Sequence, residues 1–141
     1  MIQVPNLAVI DTVARTLWGE ARGQGYCGMY AVACVIRNRV NKPGWWGASY
    51  FDVCVKPYQF SCRNPNDVNK AKLLTVTTAD PDFANAMTIA TQFVNGSYAL
   101  DITNSADSYY QGGTPIPAWA MHNSPVAVIG QHRFYIVGLT G

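Results

Sequence analysis

From Asn6 to Ala21 the apolar residues Leu7, Ile10, Val13, Ala14, Leu17, Trp18 and Ala21 recur at helical spacing, and Gly23 and Gly25 come next as stop signals. A stripe of that width has to be buried against partner elements, and the rest of the chain supplies them. A second helix is predicted over Tyr26 to Val40, with Met29, Tyr30, Ala33, Cys34, Ile36, Arg37 and Val40 in register, ended by Asn41-Lys42-Pro43-Gly44. A third opens on Asp80 as cap with Pro81 at its first position, carries Phe83, Ala86, Met87, Ala90, Phe93 and Val94 on one face, and closes at Gly96. The stretch 43–69 is rich in Gly, Pro, Asn and aromatics and reads as loop, with one short helix near Tyr50 to Val55. Beyond Gly96 the period changes. Short alternating segments around Ser108 to Gln111 and Val126 to Val137, the latter broken at Gly130-Gln131, predict strands and a hairpin. The expectation is an α+β fold, mainly helical with a small β-hairpin element near the C-terminus, forming a single domain over 1–141.

Hydrophobic residues make up 49% of the chain and charged residues 13%, enough apolar material for a core and too little charge for a disordered tail. The net charge of +2 and the scattered Lys and Arg give no phosphate-binding stripe, so nucleic acid is not an expected partner. No apolar run approaches the roughly 18 to 20 residues of a membrane span. Met1 to Pro5 lacks a basic leader, and Asp11 and Arg15 interrupt the apolar stretch after it, so no secretory signal is expected. Of the four cysteines, Cys27 and Cys34 lie too far apart along one helix to bond each other and read as buried small hydrophobes. Cys54 and Cys62 bracket a loop that a disulfide closes if the chain meets an oxidising compartment. With no C-x-x-C pair and only His122 and His132 to assist, no metal site and no cofactor is expected.

Glu20 is the only glutamate among eight carboxylates. It stands at the C-terminal end of the first predicted helix in Trp18-Gly19-Glu20-Ala21-Arg22-Gly23, at the negative end of the helix dipole with Trp18 close by. Both influences favour the neutral acid that a proton donor needs. A solvated surface glutamate is the alternative that position alone leaves open.

The segment Ala14-Arg15-Thr16-Leu17-Trp18-Gly19-Glu20-Ala21-Arg22-Gly23-Gln24-Gly25-Tyr26-Cys27-Gly28-Met29-Tyr30-Ala31-Val32-Ala33, running on to Asn38-Arg39-Val40, resembles the opening of the SleB-like cell-wall hydrolases, the family of the spore cortex-lytic enzymes. Gln59-Phe60-Ser61-Cys62 resembles that family's Q-F-S loop. Asp101 to Ala106, Tyr109, Trp119 and Ile129-Gly130-Gln131-His132-Arg133-Phe134-Tyr135 resemble its closing segments. The matches keep their order over about four-fifths of the chain. Two departures stand out. Gln24 replaces the common glutamate of E-A-R-G-E, and Cys27 and Cys34 fall where other residues are usual.

The resemblance implies a lysozyme-like domain in which Glu20 cleaves the bond between N-acetylmuramic acid and N-acetylglucosamine in peptidoglycan glycan strands, by lytic transglycosylation. A hydrolase needs a second carboxylate, for which Asp52, Asp101 and Asp107 are candidates by elimination. The resemblance also implies substrate contacts from Gln59, Phe60, Ser61, Tyr109, Trp119 and His132. Each has a plainer alternative: loop polar groups satisfied by backbone for Gln59 and Ser61, packing for Phe60 and Trp119, a structural hydrogen bond for His132. Of the adjacent tyrosines, Tyr109 is expected toward the groove and Tyr110 in the core. Arg22 is expected to pin the turn after the helix, while Trp45-Trp46 either extends the groove or forms a partner patch. The rival activities are a thiol peptidase or amidase using Cys27 or Cys62 with His132, a zinc amidase, and a binding-only wall or virion module. A monomer is expected, reaching the cell wall as a phage lysin, a virion-carried enzyme or a fragment trimmed of its leader.

Overall fold

A computed structural model of the chain describes residues 4–42, 44–57, 59–97 and 100–138; Met1 to Gln3 and Pro43, which entered the leader and helix-stop readings, lie outside them. The first helix, α1 (Val4–Ala21), runs into a 3₁₀ turn at Arg22–Gln24 and on into α2 (Gly25–Asn41). The reversal is made at Gly25, whose φ of +75° suits a residue without Cβ. Three further helices come after it: α3 (Tyr50–Val55), α4 (Lys70–Thr75) and α5 (Pro81–Val94). The Asp80 side chain accepts from the backbone N–H groups of Asp82 and Phe83, and Pro81 occupies the first turn, so α5 starts where its cap dictates.

Helix α1 is the centre of the helical layer, packed on α2 and α5. Its Val13, Ala14 and Leu17 are fully buried with Val32 and Ile36 of α2, Ile89 and Ala90 of α5, and Val53 and Cys54 of α3. The expected hairpin is present, Ala127–Ile129 and His132–Tyr135 turning at Gly130 (φ +57°), but it belongs to a three-stranded antiparallel sheet. Numbering β1 (Ser108–Gln111), β2 (Ala127–Ile129) and β3 (His132–Tyr135), the strand order is β1-β3-β2. Tyr109 pairs with Phe134 and Gln111 with His132, so these four share one face; Tyr110 and Tyr135 lie on the other. A small second core, Phe134 and Ala106 on Ala31 and Val35, fastens the sheet to α2.

The four cysteines are free thiols. Cys34, Cys54 and Cys62 are buried, whereas Cys27, expected in the core, is exposed on α2. No helix among the described residues is long and apolar enough to cross a membrane.

Candidate active site

Glu20 sits in the last turn of α1, half-buried, at the wall of a cavity of about 450 Å³ between the helices and the sheet. Two donors fix its carboxylate. The Tyr109 hydroxyl donates to Oε1 at 2.6 Å, and the Cys62 backbone N–H donates to Oε2 at 3.3 Å. The approach of the Cys62 loop depends on Gly19, where an added Cβ would stand 2.7 Å from Cys62 Sγ. Trp18 is anchored by its indole N–H to Asp80 Oδ1 at 3.3 Å, so the cap of α5 steadies the turn that carries the acid. Arg22 pins the same turn, its guanidinium 4.1 Å above the Trp18 ring and its Nη1 donating to the Trp18 carbonyl.

Tyr109 is brought to the acid by β1, on the sheet face that also holds His132, whose ring centroid is 5.0 Å away. Burial, and then the Glu20 charge, hold the Tyr109 phenol well above its ordinary pKa, so it stays a donor throughout the working range. His132 is buried at the cavity edge and burial pushes its pKa down; its Nδ1 has no hydrogen-bond partner among the described residues. Tyr110 also reaches the cavity border from the far face, half-buried and stacked on Tyr135, rather than lying in the core.

Gln59 and Ser61 both border the Glu20 cavity. Phe60, between them, does not. Its backbone is extended (φ −119°, ψ 112°), so its side chain points opposite to its neighbours', into the main core at 2% exposure. The stacking role expected of Phe60 is therefore corrected to a packing one. Trp119 lies further along, half-buried edge-on against Tyr135, and borders an adjoining cavity of about 310 Å³ that shares Arg39, Gln59 and Tyr109 with the first. Trp45 and Trp46 border it too: Trp46 is buried at 2%, Trp45 is exposed under the Lys56 ammonium at 4.6 Å.

None of the three aspartates named as possible partner acids borders the Glu20 cavity. Asp101 is occupied by Asn38, Thr103 and Ser105, and Asp107 accepts from the Val137 and Gly138 N–H groups. Asp52 is exposed on α3. The carboxylate that does share the cavity is Asp67, half-buried, with Oδ1 accepting from the Asn69 N–H at 2.8 Å. Nothing local in the sequence singles it out. Arg39 was also missed, although an arginine seven residues after Val32 and three after Ile36 on a core-facing helix is a visible signal. It is 6% exposed and borders both cavities, with Nε donating to the Asp107 carbonyl at 2.8 Å. Among the described residues no three His, Cys, Asp or Glu side chains gather as a metal site.

The helical layer, with Glu20 at the end of its central helix, faces a small three-stranded antiparallel sheet across a cleft. Residues 23–135 match the cell wall hydrolase family, and the chain belongs to it; Glu20 lies just ahead of the matched stretch. The fold is similar to the catalytic domain of the Bacillus cereus SleB protein, with TM-score 0.66 and 26% identity over 90% of this chain and 88% of that one. It is equally similar to the catalytic domain of the germination-specific lytic transglycosylase SleB from Bacillus anthracis, with TM-score 0.65 and 26% identity over 90% and 93% of the two chains. The spore cortex-lytic enzyme of Halalkalibacterium halodurans is 29% identical over 125 residues, 89% of this chain; the chain spans 34% of that enzyme's length.

Proposed function

We propose that the chain cleaves the glycan strands of peptidoglycan at the bond between N-acetylmuramic acid and N-acetylglucosamine, as a lytic transglycosylase with Glu20 as acid and then base. The observation that carries this reading is the mounting of Glu20: a glutamate on the central helix, held at both oxygens by Tyr109 and the Cys62 N–H, at the wall of a cleft. The two solved relatives, one of them a lytic transglycosylase, support it through the shared fold.

In its acid form Glu20 gives its proton to the glycosidic oxygen, and the bond to C1 of the muramic ring breaks with the leaving sugar departing as an alcohol. The muramic C6 hydroxyl then bonds to C1 while its proton returns to the Glu20 carboxylate, which closes a 1,6-anhydro ring and regenerates the acid. No water is consumed. Tyr109 holds the carboxyl aimed through both steps, and Gln59 and Ser61 offer hydrogen-bonding groups for the substrate along the same wall.

A hydrolytic outcome is the second reading, because Asp67 shares the cavity and a second carboxylate can activate water. The thiol peptidase reading fits the site poorly. Burial, and then Glu20, push the Cys62 thiol far above its ordinary pKa, opposite to what a thiolate nucleophile requires, and Cys27 borders neither cavity. Mass spectrometry of fragments released from purified sacculi tests the proposal. Anhydro-muramic ends with the wild type and none with Glu20→Gln are expected. Reducing ends would transfer the reaction to the Glu20 and Asp67 pair, and peptide cleavage that survives Glu20→Gln would overturn the assignment.

A further inference from the structure

Arg39 makes no contact ion pair among the described residues, although the Asp107 and Glu20 charges lie near enough to favour its own. It is more than nine-tenths buried, its Nε is used by the Asp107 carbonyl, and its Nη1 is buried with no hydrogen-bond partner among the described residues. The nearby acids are engaged elsewhere, Asp107 with the Val137 and Gly138 N–H groups and Glu20 with Tyr109 and the Cys62 N–H. The guanidinium is instead sandwiched against aromatic faces, 5.0 Å from the Trp46 centroid and 5.3 Å from that of Phe60. Burial pulls its pKa below the usual arginine value, so the fold holds the cation at a cost.

The cavity that Arg39 opens onto, beyond Tyr109 from Glu20, has Trp45, Trp46 and Trp119 among its walls and no carboxylate among its described lining residues. Outside that lining, the Lys56 ammonium stands 4.6 Å over the ring of Trp45. A desolvated guanidinium with a free N–H binds a carboxylate more strongly than a neutral carbonyl, because the charge-assisted bond is the stronger one.

Resting on the glycan-cleaving reading above, we propose that this second cavity is an anion subsite in which the Arg39 guanidinium takes a carboxylate carried by a substituent of the muramic residue. Two sources share that chemistry: the free lactyl carboxylate of a peptide-stripped muramic residue, and a carboxylate of the attached peptide. The aromatic walls accommodate the apolar portion of the substituent, while Gln59 and Tyr109, common to both cavities, mark the passage from this subsite to the scissile bond.

The test uses four versions of one glycan with the wild-type protein: peptide-bearing strands with free or amidated carboxylates, and peptide-stripped strands with a free or amidated lactyl group. The expected result is a KM about tenfold lower for the charged member of at least one pair, with kcat within about threefold. The pair that shows it identifies the source. Arg39→Gln is expected to abolish the KM difference within that pair, read as a ratio so that any loss common to all four strands cancels. Equal KM within both pairs would overturn the proposal, and so would a preference that survives Arg39→Gln. A kcat loss in that variant equal on all four strands, with the KM difference retained, would instead make Arg39 an electrostatic partner of Glu20 alone. The wild-type comparison stands even if Arg39→Gln fails to fold. Absence of glycan ends from every strand would be a failure of the glycan-cleaving reading, not of the subsite alone.

Discussion

The Tyr109 hydroxyl donates to Glu20 Oε1 at 2.6 Å across 89 residues of sequence, a direct bond between the first helix and the first strand. Removing that donor tests how much of the site is aim. Tyr109→Phe keeps the ring on His132 and Phe134 and deletes only the hydrogen bond. A hydrogen bond to a charged group is worth about 1.5–3 kcal/mol, so kcat on sacculi is expected to fall about 10- to 100-fold with KM nearly unchanged. A KM rise at constant kcat would instead assign Tyr109 to substrate binding.

Asp67→Asn separates the two outcomes of the proposed chemistry. If Glu20 works alone, the variant keeps activity within a few-fold of wild type and still releases anhydro ends. A loss of about 100-fold or more, in the range of general acid–base contributions, would make Asp67 part of a hydrolytic pair.

His132 makes stability depend on pH. Its folded pKa lies below the ordinary 6.5 because burial disfavours the charged ring, so the unfolded chain binds more protons in the interval between the two values. Stability from this residue is complete above about pH 6.5 and falls as pH drops toward the folded value. His132→Gln, neutral at every pH, is expected to flatten that part of the urea-midpoint profile. An unchanged acid slope in the variant would assign the loss to another group.

Gly19→Ala is expected to cost about 1–3 kcal/mol, because its Cβ would stand 2.7 Å from Cys62 Sγ and 3.0 Å from Leu73 Cδ1. Cys62→Ala removes the sulfur but keeps a Cβ at 2.8 Å, so the double variant should recover only part of the loss in thermal denaturation. Additive losses would place the strain on the Cys62 Cβ and Leu73 Cδ1 contacts and not on the sulfur.

The long helices were legible because each carries an apolar stripe at helical period and a cap or glycine stop, as Asp80 and Pro81 do for α5. Helix α4 was not. Its six residues have no side-chain cap, and of them only Leu73 is buried, so docking against α1 rather than local propensity creates it. In the site, Glu20 stood out as the single glutamate within a recognisable run, and Gln59 and Ser61 came with the loop that bears them. Phe60 was misplaced because the loop was not read as extended, where alternate side chains part to opposite sides. Arg39 and Asp67 owe their positions to contacts far along the chain. The carbonyl that Arg39 reaches lies 68 residues away, and no local pattern encodes that distance.

The two cores are unequal in size, and the donor to the acid comes from the sheet that the smaller one fastens. Glu20 rides on the large helical cluster, whereas Tyr109 comes from a sheet whose own buried cluster is Phe134 and Ala106 on Ala31 and Val35, with the Tyr109 ring packed against both. On warming, the smaller cluster is the one to loosen first. Lytic activity should therefore fade several degrees before the helical signal melts, and a heat-treated sample would be silent while still looking folded by its helix content.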